Sequence, residues 1–178
     1  MEGLIRISDI LLCDVFVRGK RNTYGVDEVI LNRNGNVSGL VVSNKGILQV
    51  KHYASAKSIE RLTKEQIYLK GMERYTPKQR SAQYASGKLL KKRVRASDGE
   101  VLGVLSDVYI SGEKLRVMAV EIAVSLFEDL FLGRTLIPGN IIVDDVDSVV
   151  ISDLQMENSL HNTKGIINAI DDGFKEKQ

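Results

Sequence analysis

The chain has 178 residues, of which 43% are hydrophobic and 27% charged, so its composition excludes a disordered protein and allows one medium domain or two small ones. No apolar run approaches the roughly 20 residues that cross a bilayer, and the start lacks the features of a secretory signal, which predicts a cytoplasmic protein. The formal charge of +2 hides a basic part, residues 1–95 with net charge +11, and an acidic part, residues 96–178 with net charge −9. We expect these parts to attract each other within one chain or between copies.

Residues 1–70 predict a first folded unit made of β-strands. Residues 4–17 indicate a strand, a short turn at Ser8–Asp9, and a second strand or helical turn. Residues 24–31 and 37–42 flank the pair Asn34–Gly35, which reaches positive φ easily, and therefore predict a hairpin. Further strands are predicted over 47–53 and near 67–69.

Residues 71–88 predict a linker, because they contain few aliphatic side chains and one of the two prolines. Residues 89–153 then predict a second unit that repeats the first, with Ser111–Gly112 as its hairpin turn. Three pairs of residues match between the units at separations of 78 or 79 positions: Val15 and Val94, Gly25 and Gly103, Val29 and Val108.

Residues 154–178 predict a C-terminal helix or tail. Ile166, Ile170 and Phe174 recur every four residues and would share one helical face. Packing on the chain's own second unit and docking on a partner are both open for this face.

Several short motifs of the chain resemble the PRC-barrel domain family. The similarity covers residues 4–70 and 88–153 as two copies, although the first copy lacks an Ile-Pro step. The residues that carry it are Ser8-Asp9-Ile10-Leu11, Gly103-Val104, Asp107-Val108, Ile137-Pro138 and the segment Asp147–Ile151.

This resemblance implies a mainly β fold of two small antiparallel PRC-type β-barrels in tandem, with short helices. Similar domains occur in the photosynthetic reaction centre H subunit, in the C-terminal half of a ribosome-maturation factor, and in other bacterial and archaeal proteins. The family has no common set of catalytic residues. It therefore implies an assembly module and not an enzyme.

The residues themselves indicate little chemistry, and we predict no catalytic, cofactor-binding or metal site. Cys13 lies in an apolar run, where a free thiol is usually a small buried hydrophobe. His52 and His161 have no partner at metal-ligand spacing. The acidic residues Asp144, Asp145 and Asp147 do not converge if they lie on a strand, because neighbouring side chains there point to opposite faces.

A basic cluster begins at the last residue of the predicted linker and consists of Lys88, Lys91, Lys92, Arg93 and Arg95. Tyr75 and Tyr84 lie close to it in sequence and could stack on unpaired bases, so the cluster is an alternative nucleic-acid patch. The other interpretation of the cluster is a solubilising linker whose charge is balanced by the acidic second unit.

An apolar segment of the second unit has no counterpart in the first, and it contains Phe127, Leu130, Phe131 and Leu132. These residues either close the mouth of their own barrel or form an exposed patch for docking a partner. Two functions remain: a non-enzymatic scaffold or adaptor that binds a protein partner, or an RNA- or ribosome-associated factor that uses the basic half and linker.

Overall fold

A computed structural model describes residues 3–46, 49–76, 84–123, 135–138, 142–143 and 148–151, which form mainly β-strands with a few short helices. The first half contains β1 (Leu4–Arg6), α1 (Ile7–Ile10), β2 (Asp14–Val17), β3 (Thr23–Leu31), β4 (Val37–Asn44), β5 (Lys51–Ser55), a 3-10 turn (Ala56–Ser58), β6 (Ile59–Leu62), β7 (Gln66–Leu69) and β8 (Glu73–Arg74). The second half contains β9 (Tyr84–Ala85), α2 (Ser86–Leu89), β10 (Arg93–Ala96), β11 (Val101–Ser111), β12 (Arg116–Ala123), β13 (Thr135–Pro138), β14 (Ile142–Val143) and β15 (Ser148–Ile151).

The strands form two sheets, one built around each long hairpin. The first sheet has the order β6-β7-β2-β3-β4-β5-β8, and the second has the order β14-β15-β10-β11-β12-β13. Most pairings are antiparallel, but β2 pairs with β7 in parallel and β10 pairs with β15 in parallel. Among the strands described, neither sheet closes on itself, so the closed antiparallel barrels expected from the sequence are not found there.

Corresponding strands of the two sheets have the same order and the same sense of pairing. Asp14 lies opposite Gly25 in the first sheet, and Arg93 lies opposite Val104 in the second, which sets a separation of 79 positions. At this separation Gly25 corresponds to Val104, and Gly103 corresponds to Tyr24. The expected match between Gly25 and Gly103 was therefore wrong by one position.

Each long hairpin has an irregularity in its register at the corresponding place, between Val26 and Glu28 in β3 and between Leu105 and Asp107 in β11. The extra residue of a β-bulge bends its strand and increases the local twist. Apolar side chains before and after the irregularity therefore still reach the buried face.

The first strand of each half pairs with the long hairpin of the other half. β1 pairs with β11 over Tyr109–Ser111, beyond the point where β10 leaves the same edge. In the same way, β9 pairs with β3 over Ile30–Leu31. We call this arrangement the reciprocal exchange. It was not anticipated from the sequence, which had suggested two units that each pair only within themselves.

One apolar core includes residues of both sheets. Fully buried side chains of the first sheet, such as Val15 and Leu40, belong to the same cluster as Val94 and Leu105 of the second. The turns of the two hairpins also meet, because the Val37 amide donates to the Leu115 carbonyl at 2.8 Å and the Val117 amide donates to the Gly35 carbonyl at 3.0 Å. Alternation of apolar and polar residues along the strands supplies this core, since successive side chains point to opposite faces.

The two hairpin turns differ in the residue that takes positive φ. Gly35 does so in the first turn, at +73°, as its sequence predicts. In the second turn Leu115 takes this conformation, at +49°, and Gly112 does not. Gly112 is needed for a different reason, because a Cβ atom there would lie 2.6 Å from the Leu62 carbonyl oxygen of the first half.

The segment predicted as a linker, residues 71–88, contains β8, β9 and most of α2 in its described parts, and residues 77–83 lie outside the description. The predicted C-terminal helix or tail, residues 154–178, also lies outside it. No helix in the described part of the chain has the length and apolar character needed to cross a membrane.

Candidate functional site

A buried polar cluster fixes β1 on the second half. Arg6 Nε donates to the Tyr109 hydroxyl at 2.8 Å, and this hydroxyl donates to Glu121 Oε2 at 3.1 Å. The Arg6 guanidinium also lies 3.6 Å from Glu121 Oε2. Glu121 is only 1% exposed, so Arg6 supplies the positive charge that this buried carboxylate requires.

The titration of this cluster follows from its burial and its charges. Desolvation, reinforced by the Glu121 carboxylate, raises the pKa of Tyr109 to about 12. Desolvation lowers the pKa of Arg6, but the attraction of Tyr109 and Glu121 outweighs it and raises that pKa overall. Tyr109 is therefore neutral and Arg6 charged at neutral pH. Because Arg6 belongs to the first half of the chain and Tyr109 and Glu121 to the second, the cluster holds the two halves together.

A second polar contact holds α1 against β11. The Ser8 hydroxyl donates to Asp107 Oδ2, and the amides of Ser8 and Val108 donate to Asp107 Oδ1 at 3.4 and 2.8 Å. The Asp107 carboxylate is thus buried and occupied by three donors. This arrangement joins α1 to β11 and supports the fold.

The outer surface of β10 and β11 combines cations with exposed apolar side chains. Arg93 is paired with Val104, and Arg95 with Val101, so the four side chains lie on one face. Val101 is 52% exposed and Val104 is 40% exposed, although valine is normally buried. We call these four residues the β10 face.

The basic cluster predicted as a nucleic-acid patch lies at and before this face. Lys88 lies in the last turn of α2, Lys91 follows this helix, and both are exposed. Arg93 and Arg95 belong to the β10 face itself. Within the described ranges, Lys88, Lys91 and Arg93 form no ion pair, so their charges act on the surrounding solvent.

The two tyrosines expected beside this cluster are engaged elsewhere. Tyr84 packs against the core, and the Lys92 ammonium lies 5.5 Å from its ring centroid. Tyr75 packs against Ile30, Val41 and Tyr53 on the outer face of the first sheet. Neither ring is presented as a platform for unpaired bases.

An aromatic pair, of which Tyr68 is exposed and Phe16 is half-buried, lies on the corresponding outer face of the first sheet. Phe16 of β2 and Tyr68 of β7 are paired across the two parallel strands, and their rings stack with centroids 5.4 Å apart. We call this pair the aromatic ledge. The residues are 52 positions apart, and the sequence contains no signal for the parallel pairing that joins them.

The remaining candidate residues, Cys13 and His52, are both engaged in contacts within the protein. The Cys13 thiol is buried and lies within 3.4 Å of the carbonyl oxygens of Asp9 and Lys64. Desolvation raises the pKa of this thiol, and nearby carboxylates add to the effect, so it is a poor nucleophile. His52 packs edge-on against Tyr24 with centroids 6.0 Å apart.

Several predicted residues lie outside the described part of the chain. They are the acidic residues near position 145, His161, and the docking candidates Phe127, Leu130, Phe131 and Leu132. Among the residues that are described, no group of three or more His, Cys, Asp or Glu side chains is arranged to hold a metal ion.

Comparison with known proteins identifies one family. Residues 82–154, which include the β10 face and the long β11–β12 hairpin, match the PRC-barrel domain family. No curated protein matches the chain. The second half of this protein, residues 82–154, thus contains a PRC-barrel domain.

Proposed function

We propose that the protein is a non-enzymatic adaptor that binds a protein partner through the β10 face. The observation that carries this proposal is the exposure of Val101 and Val104 directly beside Arg93 and Arg95. Contiguous exposed apolar surface commonly marks an interaction site. The cytoplasm as the location of this adaptor remains a prediction from the sequence.

The first half of the chain is, in this proposal, a second PRC-type unit. Three features support it: the shared strand order, the 79-position register and the corresponding irregularities in β3 and β11. The tandem barrels would then be open units that complete each other through the reciprocal exchange. An adaptor of this kind presents its binding face on a rigid body.

The partner segment that fits the β10 face is acidic and carries apolar side chains. Arg93 and Arg95 offer planar groups that bind carboxylates through two parallel hydrogen bonds. Val101 and Val104 offer apolar area, which a phosphate backbone cannot cover. Phe127, Leu130, Phe131 and Leu132 remain a predicted additional docking surface for the same partner.

The alternative is an RNA- or ribosome-associated factor that uses Lys88, Lys91, Lys92, Arg93 and Arg95. Lys88 and Lys91 favour it, because both are exposed and neither forms an ion pair with another residue that the structure describes. The packing of Tyr75 and Tyr84 against other side chains of the protein weakens it, because a nucleic-acid patch gains from accessible aromatic rings. The apolar pair on the β10 face is also unexplained by phosphate binding.

Affinity capture from native cells tests the proposal. The wild-type chain and the variant Val101→Thr/Val104→Thr are compared, since threonine keeps the shape and strand preference of valine but removes apolar area. We expect a defined protein to be retained by the wild type at moderate salt and lost from the variant.

Val50→Thr is the matched control, because Val50 is similarly exposed, at 48%, on another part of the surface. A different result would establish the alternative. In that case RNA or ribosomes are retained by Val101→Thr/Val104→Thr and by Val50→Thr, but they are lost from Lys91→Gln/Arg93→Gln. Capture of the same protein by all variants would refute the role of the β10 face.

A further inference from the structure

The aromatic ledge of Phe16 and Tyr68 lies between two hollows on the outer face of the first sheet. One hollow, of about 260 Å³, is lined on its far side by Arg18 and Glu60. The other, of about 300 Å³, is lined by Arg61 and by the turn that contains Lys64 and Glu65. Tyr68 borders both hollows and is 38% exposed, so part of its side chain is accessible to a ligand.

Positive charge is concentrated at one end of this ledge. β2 and β7 run in parallel, so the residues that follow them leave from the same end of the sheet. The Arg18 amide donates to the Leu69 carbonyl at 2.9 Å, which brings the turn containing Lys20 and Arg21 close to Lys70. Four cations therefore follow the ends of two neighbouring strands.

Most of this charge is not neutralised. Arg18 pairs with Glu60, which is the acidic residue of the adjoining hollow. Lys20, Arg21 and Lys70 are exposed, and in the described part of the chain they form no ion pair. A ligand that reaches from the aromatic ledge to this end of the sheet meets three uncompensated cations.

These features require a ligand with a planar ring next to a repeated negative charge. An aromatic side chain stacks on any nucleobase, and a neighbouring basic groove follows the phosphate backbone. A duplex does not fit, because its bases are already stacked on each other. An acidic peptide satisfies the cations but leaves the flat ring of Tyr68 without a specific partner.

We propose that the aromatic ledge, together with Lys20, Arg21 and Lys70, binds single-stranded nucleic acid without sequence preference, with one base stacked on Tyr68. This site lies on the first half of the chain and is separate from the β10 face. It does not depend on the adaptor function, since it is carried by different residues and a different ligand.

Fluorescence anisotropy with labelled single strands of about 12 nucleotides tests the proposal, because such strands fall within the roughly 4 to 16 nucleotides that comparable surfaces occupy. Oligo-dT and oligo-U are compared with a duplex of the same length, using the full chain. We expect both single strands to bind more tightly than the duplex. Tighter binding of oligo-U than of oligo-dT would identify the ligand as RNA. Equal affinity for the two would show that the site accepts either kind of single strand. Both results support the site.

Tyr68→Ile removes the ring and keeps a residue that favours strands, whereas Tyr68→Phe keeps the ring and is the matched control. The first change should weaken binding by about 5- to 150-fold, the factor that corresponds to roughly 1–3 kcal/mol of base stacking. The second should leave affinity unchanged. Equal binding by Tyr68→Ile and wild type would overturn the proposal.

Lys20→Gln/Arg21→Gln provides an independent readout on an exposed turn, where folding is not at risk. Each lost phosphate contact on a single strand reduces the slope of log affinity against log salt by about 0.7, so this variant should reduce it by about 1.4. An unchanged slope, or a loss of binding only in Lys91→Gln/Arg93→Gln, would place any nucleic acid elsewhere and refute the site. Tighter binding of the duplex would also refute it.

Discussion

At the residue scale, the two sheets differ in polarity at corresponding positions. Tyr109 and Glu121 of the second sheet are polar, whereas the outer face of the first sheet is apolar there. The corresponding outer face of the first sheet is formed by Ile30, Val41 and Tyr53. In the second sheet, Glu121 is buried and obtains its compensating charge from Arg6, more than 100 positions earlier in the chain. A buried carboxylate is stable only when it is paired, so this cluster makes docking of β1 specific for a segment with a cation at that position.

The raised pKa of Tyr109 predicts a stability change at alkaline pH. Because its folded-state pKa is about 12 and that of an unfolded tyrosine is about 10, the neutral ring is favoured by folding. This contribution is complete below about pH 10 and is lost as pH rises towards about 12. Denaturant unfolding at a series of pH values should show this decline in the wild type.

Tyr109→Phe is the control for this prediction, since phenylalanine cannot ionise. The difference in unfolding free energy between wild type and variant should narrow as pH rises from about 10 to about 12. A difference that stays constant over this interval would show that Tyr109 titrates normally in the folded protein.

Residue types alone predicted part of the candidate site. Lys91, Arg93 and Arg95 are visible as a basic run; the structure places Lys91 and Arg93 at exposed positions and Arg95 at a half-buried one, and their role remains a prediction. The sequence did not reveal that Val101 and Val104 share their face, because this depends on how β10 pairs with an irregular β11. Nor did it reveal that Tyr84 is covered by Lys92.

At the element scale, the hairpins were predictable and the reciprocal exchange was not. A hairpin is specified locally, by two apolar runs and a turn such as Asn34–Gly35. The choice between pairing β1 within its own half and pairing it with β11 depends on contacts of Arg6 and Ser8 with distant residues. The alternation of apolar and polar residues indicates which face of a strand is buried, but it does not indicate which other strand it pairs with.

Gly112 provides a test of the contact between the second hairpin turn and β6. A Cβ atom at Gly112 would lie 2.6 Å from the Leu62 carbonyl oxygen, which is closer than van der Waals contact allows. Gly112→Ala should therefore destabilise the protein by about 1–3 kcal/mol in urea unfolding, the usual cost of overpacking.

Gly87→Ala is the matched control, because no atom lies within 4 Å of the Cβ position there and Gly87 is in α2. This change should be neutral or stabilise the protein by up to about 1 kcal/mol. Equal effects of the two substitutions would show that the hairpin turn does not rest against β6 in solution.

At the scale of the whole molecule, the shared core predicts a single cooperative unfolding transition. Leu40 in the first sheet and Leu105 in the second are both buried in the same cluster. Leu40→Ala and Leu105→Ala should each lower the stability of the whole chain by about 2–5 kcal/mol. Calorimetry should give one transition for each protein, with equal calorimetric and van't Hoff enthalpies.

Two resolved transitions, of which each variant shifts only one, would contradict this prediction. Such a result would mean that the halves are independent domains, as the predicted boundaries at residues 70 and 89 imply. The domain division from the sequence therefore remains a prediction that calorimetry can decide.

The reciprocal exchange also sets an order of events during synthesis on the ribosome. β1 leaves the exit tunnel before β11, and the residues of β11 that pair with it are made about 100 residues later. At translation rates of about 5–20 residues per second, β1 waits roughly 5–20 s for its partner strand. The nascent first half must remain soluble during that interval with Arg6 and Ser8 lacking their final contacts, and a pause in translation before β11 would prolong its exposure to chaperones.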